Sequence, residues 1–305
     1  MNFEQLMETR KTLIESTLDC FLPDEELHPA GLYRAMRYSV FAGGKRLRPL
    51  LVLFSAELFT TDWQRALPAA CALELIHTYS LIHDDLPAMD DDDYRRGCPT
   101  SHKVFGEAVA ILTGDALLTL AFEILAGNPE RKNKFCSSYR KNVPAEVKLA
   151  AICELARAAG VEGMVGGQAM DLASEGKAVN AETLEYIDTH KTGELLLASV
   201  RLGALVAGAG PGELDKLTAY GKLLGRAFQI VDDILDLEGD EQKMGKAKGK
   251  DVERKKANLV SLHGLEAAKK KRDQLYAQAI GELYHFGGGA QPLREITRLA
   301  FYRDH

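Results

Sequence analysis

KLTAYGKLLGRAFQIVDDILD (216–236) carries apolar residues at helical spacing along its length. The same period runs through 70–82, where Ala70, Leu73, His77, Ser80 and Leu81 share a face. Alternating polar and apolar runs bounded by turns, which strands need, are scarce. The breaks are local: Pro23 and Pro29, Gly43-Gly44, Gly97 to Pro99, Gly127 to Pro129, Gly208 to Gly212, and Gly287-Gly288-Gly289. No segment reads as a long linker, and no period repeats. The polar, basic run NPERKNKFCSSYRKNVP (128–144) reads as a surface loop. The expected fold is all-α, a single domain over residues 1–305 with roughly ten helices.

Composition narrows the function. The 305 residues are enough to bury a sizeable core. With 38 Lys+Arg against 44 Asp+Glu the net charge is −6, whereas binding a nucleic-acid backbone wants a basic excess. Five cysteines lie far apart with no C-x-x-C pair, which fits neither a disulfide framework nor a zinc finger. The start, MNFEQLMETRK, has no apolar core of a secretory leader. The longest apolar stretches are cut by Glu57, Asp115 or Arg201, so no membrane span is expected. A soluble, cytoplasmic protein is the expectation.

Two aspartate clusters stand out. HDDLPAMDDDDYRRG (83–97) holds six aspartates within ten residues. Asp84 and Asp85 should close a helix begun near Cys71, because Pro87 stops the turn from continuing. Asp90 can then swing back over that helix end. In the second cluster, Asp232 and Asp236 are spaced i, i+4 on one helical face, with Asp233 adjacent. Like charges at that spacing cost a helix a few tenths of a kcal/mol, so stability alone disfavours both. Oxygen ligands without His or Cys select Mg²⁺ or Ca²⁺ over zinc. The plain alternative is a solvated helix end, but two clusters set in apolar sequence (YSLIHDD, FQIVDDILDL) are harder to dismiss.

Basic groups answer them. GGKRLRP (43–49) places Lys45, Arg46 and Arg48 after a double glycine, and Arg95 and Arg96 follow the first acidic run. Lys191 and Thr192 sit in HKTGE, and Lys246, Lys248, Lys250, Lys255 and Lys256 follow the second run. Arg offers a fork to phosphate and Lys a mobile charge. Such alternation in an apolar helical chain suits a Mg²⁺-diphosphate ligand with a greasy tail. Neither G-x4-G-K-[ST] nor G-x-G-x-x-G is present, which argues against a nucleotide.

These motifs carry a resemblance. GGKRLRP (43–49), HTYSLIHDDLPAMDDDDYRRG (77–97), GGQAMDL (166–172), KTGEL (191–195), FQIVDDILD (228–236) and GK-x-x-G-K-D (245–251) run in the order seen in trans-prenyltransferases. The chain most resembles the bacterial farnesyl diphosphate synthases. It departs from them in a longer 128–144 loop and in KANLV (256–260), where Lys-x-Thr-Tyr-Pro is usual.

The resemblance implies a helical bundle around a deep cavity, a homodimer, and condensation of isopentenyl diphosphate with an allylic diphosphate. Carried onto matching positions, Asp84, Asp85, Asp90, Asp232, Asp233 and Asp236 would hold Mg²⁺, with Mn²⁺ as the alternative ion. Lys45, Arg48, His77 and Arg96 would bind isopentenyl diphosphate. Arg95, Lys191 and Lys246 would grip the allylic diphosphate, whose ionisation makes Lys191, Lys246 and the aspartates the catalytic set. Thr192, Gln168 and Gln229 would face the developing cation, with Asp171 one turn from Gln168. Tyr79 and Ser80, five and four positions before Asp84, would floor the cavity and stop the product at fifteen carbons. Geranylgeranyl diphosphate synthesis is the alternative within the family.

Three other classes share part of this pattern. Glu74-Leu-Ile-His77 and Glu282-Leu-Tyr-His285 are both E-x-x-H, the spacing of di-iron helical bundles. That reading leaves the aspartates and basic clusters unexplained. A terpene cyclase would typically lack a second diphosphate site such as Lys45, Arg48 and Arg96. A catalytically silent partner subunit fits poorly with two intact aspartate motifs.

Overall fold

The structure is a computed structural model describing residues 2–127, 143–177, 179–238, 260 and 264–303. It is all-α, as the periodicity predicts, and the strands among the described residues are the two-residue pair Tyr94–Arg95 and Cys98–Pro99. The chain divides into two compact units, Met1–Cys153 with Leu205–Ala207, and Glu154–Ala204 with Gly208–His305.

The first unit is built on α1 (Phe3–Phe21), α2 (Ala30–Val40), α3 (Leu47–Ala56), α4 (Leu67–Asp84), α5 (Ser101–Phe105), α6 (Glu107–Ala126) and the start of α7 (Ala145–Ala159). Its core helix is α4, buried without interruption from Ala69 to Ile76. Pro68 sits in the first turn, where its missing N–H costs nothing, so α4 begins at Leu67 rather than near Cys71. Its end falls at Asp84 with Asp85 as cap, as Pro87 requires. Helix α6 packs along α4 and passes close enough at Gly114 that a Cβ there would fall on the His83 ring. Asp115 does not keep the apolar stretch of α6 short of a membrane-crossing length, contrary to expectation. Among the described residues it is the one helix long and apolar enough to cross a membrane, with mean hydropathy 1.9 and 44% of that stretch buried.

The second unit holds α8 (Met164–Ser174), α9 (Ala181–Ile187), a π-helical turn over Asp188–Gly193, most of α10 (Glu194–Ala207), α11 (Pro211–Glu238), α12 (Leu265–Leu283) and α13 (Gln291–Phe301). Helix α11 is the element read from 216–236. It packs on α12 and is pinned through Tyr220, whose hydroxyl meets Thr297 Oγ1 at 2.7 Å. The helices exceed the expected ten partly because α5 has five residues and α9 seven. Such pieces are too short to show a period.

Candidate functional site

In the first unit, the acidic run folds back as expected. After α4 ends, the Asp90 amide donates to the Asp84 carbonyl at 2.8 Å, and Met89 and Asp91 amides both reach the Leu86 carbonyl. Asp90 is thereby held at the helix end that carries Asp84 and Asp85. The next residues form the small hairpin, whose turn uses positive φ at Arg96 (54°) and Gly97 (78°). Thr100 closes its base, its hydroxyl donating to the Asp92 carbonyl at 2.8 Å.

That turn aims two arginines in different directions. Arg95 Nε donates to Asp85 Oδ1 at 2.6 Å, and its Nη2 lies 3.4 Å from Asp92 Oδ2. The Arg96 guanidinium donates to the Gly43 carbonyl and lies flat against Gly44, where a Cβ would sit 2.8 Å from its Cζ. The double glycine of GGKRLRP is therefore a seat for Arg96 as much as a hinge. On the same loop Lys45 is exposed, and Arg48 Nη1 stands 3.5 Å from His77 Nε2. Burial, then the charges of Arg48, Arg96, Arg95 and Arg46, push the His77 ring well below its usual value and keep it neutral. Arg48 and Arg96, with Arg95 and Arg46, thus surround a neutral His77 ring, and Lys45 lies exposed on the turn beside them in sequence. Glu74, the first half of the E-x-x-H pattern, is buried and paired with Arg46 Nη1 at 2.6 Å, which removes it as an iron ligand.

Tyr79 is buried at 7% exposure, its ring edge-on to His83 with centroids 5.7 Å apart. Burial, then the charge of Asp84, raises its hydroxyl to about 12. Ser80 turns away, donating to the His77 carbonyl at 2.9 Å.

In the second unit, the KTG motif lies in the π-helical turn, a form that recurs at functional sites. Glycines let its neighbours close in. A Cβ on Gly167 would fall on the Lys191 backbone nitrogen, and one on Gly225 would sit 2.7 Å from Gly193 Cα. GGQAMDL and the part of α11 just before FQIVDDILD thereby pack closely on the KTG turn. Lys191 Nζ bonds Asp171 Oδ2 at 2.7 Å, Thr192 Oγ1 lies 3.5 Å from Gln229 Oε1, and Gln229 Nε2 donates to Asp233 Oδ1 at 3.1 Å. Gln168 is the exception. Both its amide atoms are buried without a hydrogen-bond partner among the described residues, a state that costs about 1–3 kcal/mol per group.

Asp232 accepts from Arg303 Nη2 at 2.5 Å, and that guanidinium also covers the Phe228 ring at 4.0 Å. Asp233 is buried at 3% exposure, and Asp236 lies one turn beyond Asp232 on α11. Lys246, Lys256 and nearly all of the 128–144 loop lie outside the described residues. Among the described residues no three His, Cys, Asp or Glu side chains converge as a metal cage.

Sequence reasoning missed Asp188 and Arg303. Asp188 opens the π turn, and its carboxyl is raised to about 8, mainly by burial and then by the charges of Asp233, Asp171 and Glu185. Its place three residues before Lys191 was the available signal. Arg303 gave none, being 71 positions from Asp232.

Comparison with known proteins accords with this layout. The polyprenyl synthetase profile matches residues 29–284. The chain is 46% identical to the farnesyl diphosphate synthase of Geobacillus stearothermophilus, over 100% of this chain and 99% of that one. It is equally 46% identical to the geranylgeranyl diphosphate synthase of Cyanophora paradoxa, over 97% and 95%. The crystal structure of an FPP/GFPP synthase from Zymomonas mobilis superposes with a TM-score of 0.83 at 41% identity, covering 98% of this chain and 99% of that one. With two aspartate motifs on helices, basic clusters beside them and relatives alike along their whole length, this chain belongs to the polyprenyl synthetase family.

Proposed function

We propose that this trans-prenyltransferase condenses isopentenyl diphosphate with dimethylallyl and then geranyl diphosphate, releasing diphosphate and forming farnesyl diphosphate. The observation that carries the reading is the chain reversal returning Asp90 to the helix end that bears Asp84 and Asp85. It gathers carboxylates where stability alone gains nothing. Residues 1–305 are taken as one catalytic domain, a reading supported by a family match that runs through both units.

The donor chemistry at both motifs fits Mg²⁺ or Mn²⁺, since it is carboxylate oxygen without His or Cys. Asp84, Asp85, Asp90, Asp232, Asp233 and Asp236 would hold the metal, which when bound neutralises the leaving diphosphate. The protein's own groups do the rest. Arg95 and Lys191, now spent on Asp85 and Asp171, are placed to exchange those carboxylates for phosphate oxygens. Lys45, Arg48 and Arg96 hold isopentenyl diphosphate, with neutral His77 as a hydrogen-bonding partner of Arg48. Gln168, Thr192 and Gln229 turn oxygens toward the allylic carbon that loses its diphosphate. The buried amide of Gln168 supports that role, because a ligand would give it the partner it lacks. Lys246 is assigned to the allylic diphosphate by resemblance alone. The homodimer is likewise proposed from the resemblance alone.

Fifteen carbons as the stopping point rests on Tyr79. By the resemblance, a chain growing from Asp84 would run back along α4, where the Tyr79 ring lies buried five positions earlier. Relatives of equal identity carry both farnesyl and geranylgeranyl names, so product analysis is the decisive test. Incubated with isopentenyl and dimethylallyl diphosphates and Mg²⁺, the protein is expected to yield mainly farnesyl diphosphate. Tyr79→Ala is expected to give twenty-carbon or longer chains. A wild type that already makes mostly twenty-carbon product, or an unchanged Tyr79→Ala distribution, overturns the floor and favours the geranylgeranyl reading.

A further inference from the structure

We propose that Glu74 and Arg46 form a buried positioning pair that fixes the isopentenyl diphosphate site without touching the substrate. It rests on the reading of Lys45, Arg48 and His77 as that site. Arg46 lies between Lys45 and Arg48 in the sequence, yet its side chain is fully buried, so it cannot meet a diphosphate as they can. It also sits in left-handed conformation at φ 51°, following Gly43 and Gly44 at 91° and 126°. A non-glycine residue in that region persists only where its surroundings hold it.

The holding contacts come from three helices. Arg46 Nη1 meets Glu74 Oε1 of α4 at 2.6 Å, Nη2 donates to the Val40 carbonyl ending α2 at 2.7 Å, and Nε stands 3.5 Å from Glu15 Oε1 of α1. Glu74, 2% exposed, lies three residues before His77 on α4. Burial lowers the Arg96 guanidinium from its usual value, and the charge of Glu74 partly offsets this. One buried carboxylate thus ties the turn that carries Lys45 and leads into Arg48 of α3 to the helix carrying His77, and lies within electrostatic reach of the arginine seated on Gly44.

A buried ion pair is a poor device for stability, since apolar residues of equal volume often do as well or better. Placing charged groups is what the pair adds. Glu74 and Arg46 are accordingly positioning residues, and their loss should act on binding of the non-ionising diphosphate more than on chemistry.

The experiment measures steady-state kinetics and thermal melting for Glu74→Met, Arg46→Met, and the double variant Arg46→Met/Glu74→Met. Single variants leave one buried group uncompensated and are expected to melt lower. The double variant leaves none and is expected to recover the melt. Its KM for isopentenyl diphosphate should nevertheless stay raised by about tenfold, with kcat and the KM for geranyl diphosphate within about threefold of wild type. A double variant that recovers both the melt and the wild-type KM overturns the proposal and leaves the pair purely structural. Singles whose KM effects simply add in the double also overturn it, because a pair acting as one device is non-additive. Arg48→Ala is the control. If it raises the KM for isopentenyl diphosphate while the double variant does not, the pair alone is wrong. If it leaves that KM unchanged, the site reading falls and the pair with it.

Discussion

Arg48 and Lys191 are both cations, and their partners separate their tasks. Arg48 stands against a histidine kept neutral by burial and surrounding arginines. It suits an anion that arrives and leaves intact. Lys191 is held on Asp171 inside a π turn, beside Thr192, Gln229 and the unpartnered amide of Gln168. There a charge would assist a bond that breaks. Arg48→Ala is therefore expected to raise the KM for isopentenyl diphosphate by about tenfold or more with kcat little changed, as loss of uniform binding does. Lys191→Ala is expected to lower kcat by about a hundredfold, the scale seen when one transition-state donor is removed. Initial rates with each substrate varied in turn check this, and equal effects of both variants on both parameters would falsify the assignment.

At the scale of elements, the π turn Asp188–Gly193 is the feature with consequences of its own. It widens the helix by one residue at the KTG motif and places Asp188 among Asp171, Asp233 and Glu185. In the metal-free protein its carboxyl titrates near 8 against 3.8 for the ordinary group, so the folded state holds a proton that the unfolded chain releases. A raised acid favours the fold fully below the unfolded value, and that contribution is lost as pH rises from 3.8 through about 8. Asp188→Asn stays neutral throughout. In chelator, the variant is expected to gain in melting temperature relative to wild type between pH 5 and pH 9. Parallel melting curves across that range would remove the carboxyl from the account. This element also marks the limit of sequence reading. Aspartates set in apolar runs stand out because their position is costly, and the 28-residue α11 declares its period. A π turn has no period to declare. The hydrogen-bonded return of Asp90 was legible from Pro87, whereas the pairing of Asp232 with Arg303 joins residues that no local pattern connects.

For the whole molecule, the open question is what covers α6. The helix is apolar nearly all round, and α4, α2 and α5 cover only part of it. Ile111 and Leu112 of α6, at 45% and 58% exposure, face outward in the lone chain, and Val104 of the adjoining α5 is 47% exposed. A surface helix ordinarily presents charge to water, so an apolar outward face marks an interaction surface. The homodimer proposed from the family resemblance gives it a partner, and in a twofold interface the same patch meets its own copy. Leu112→Glu would then bury two facing carboxylates, each costing several kcal/mol to desolvate. At 1.4 kcal/mol per tenfold, association should weaken by about a hundredfold or more. The fold of each chain should survive, because Leu112 contributes little to the core of its own subunit. Light scattering on size-separated protein is expected to show a wild-type dimer and a monomeric Leu112→Glu with an unchanged helical spectrum. A monomeric wild type would refute the dimer, and a variant that still dimerises would move the interface off this face.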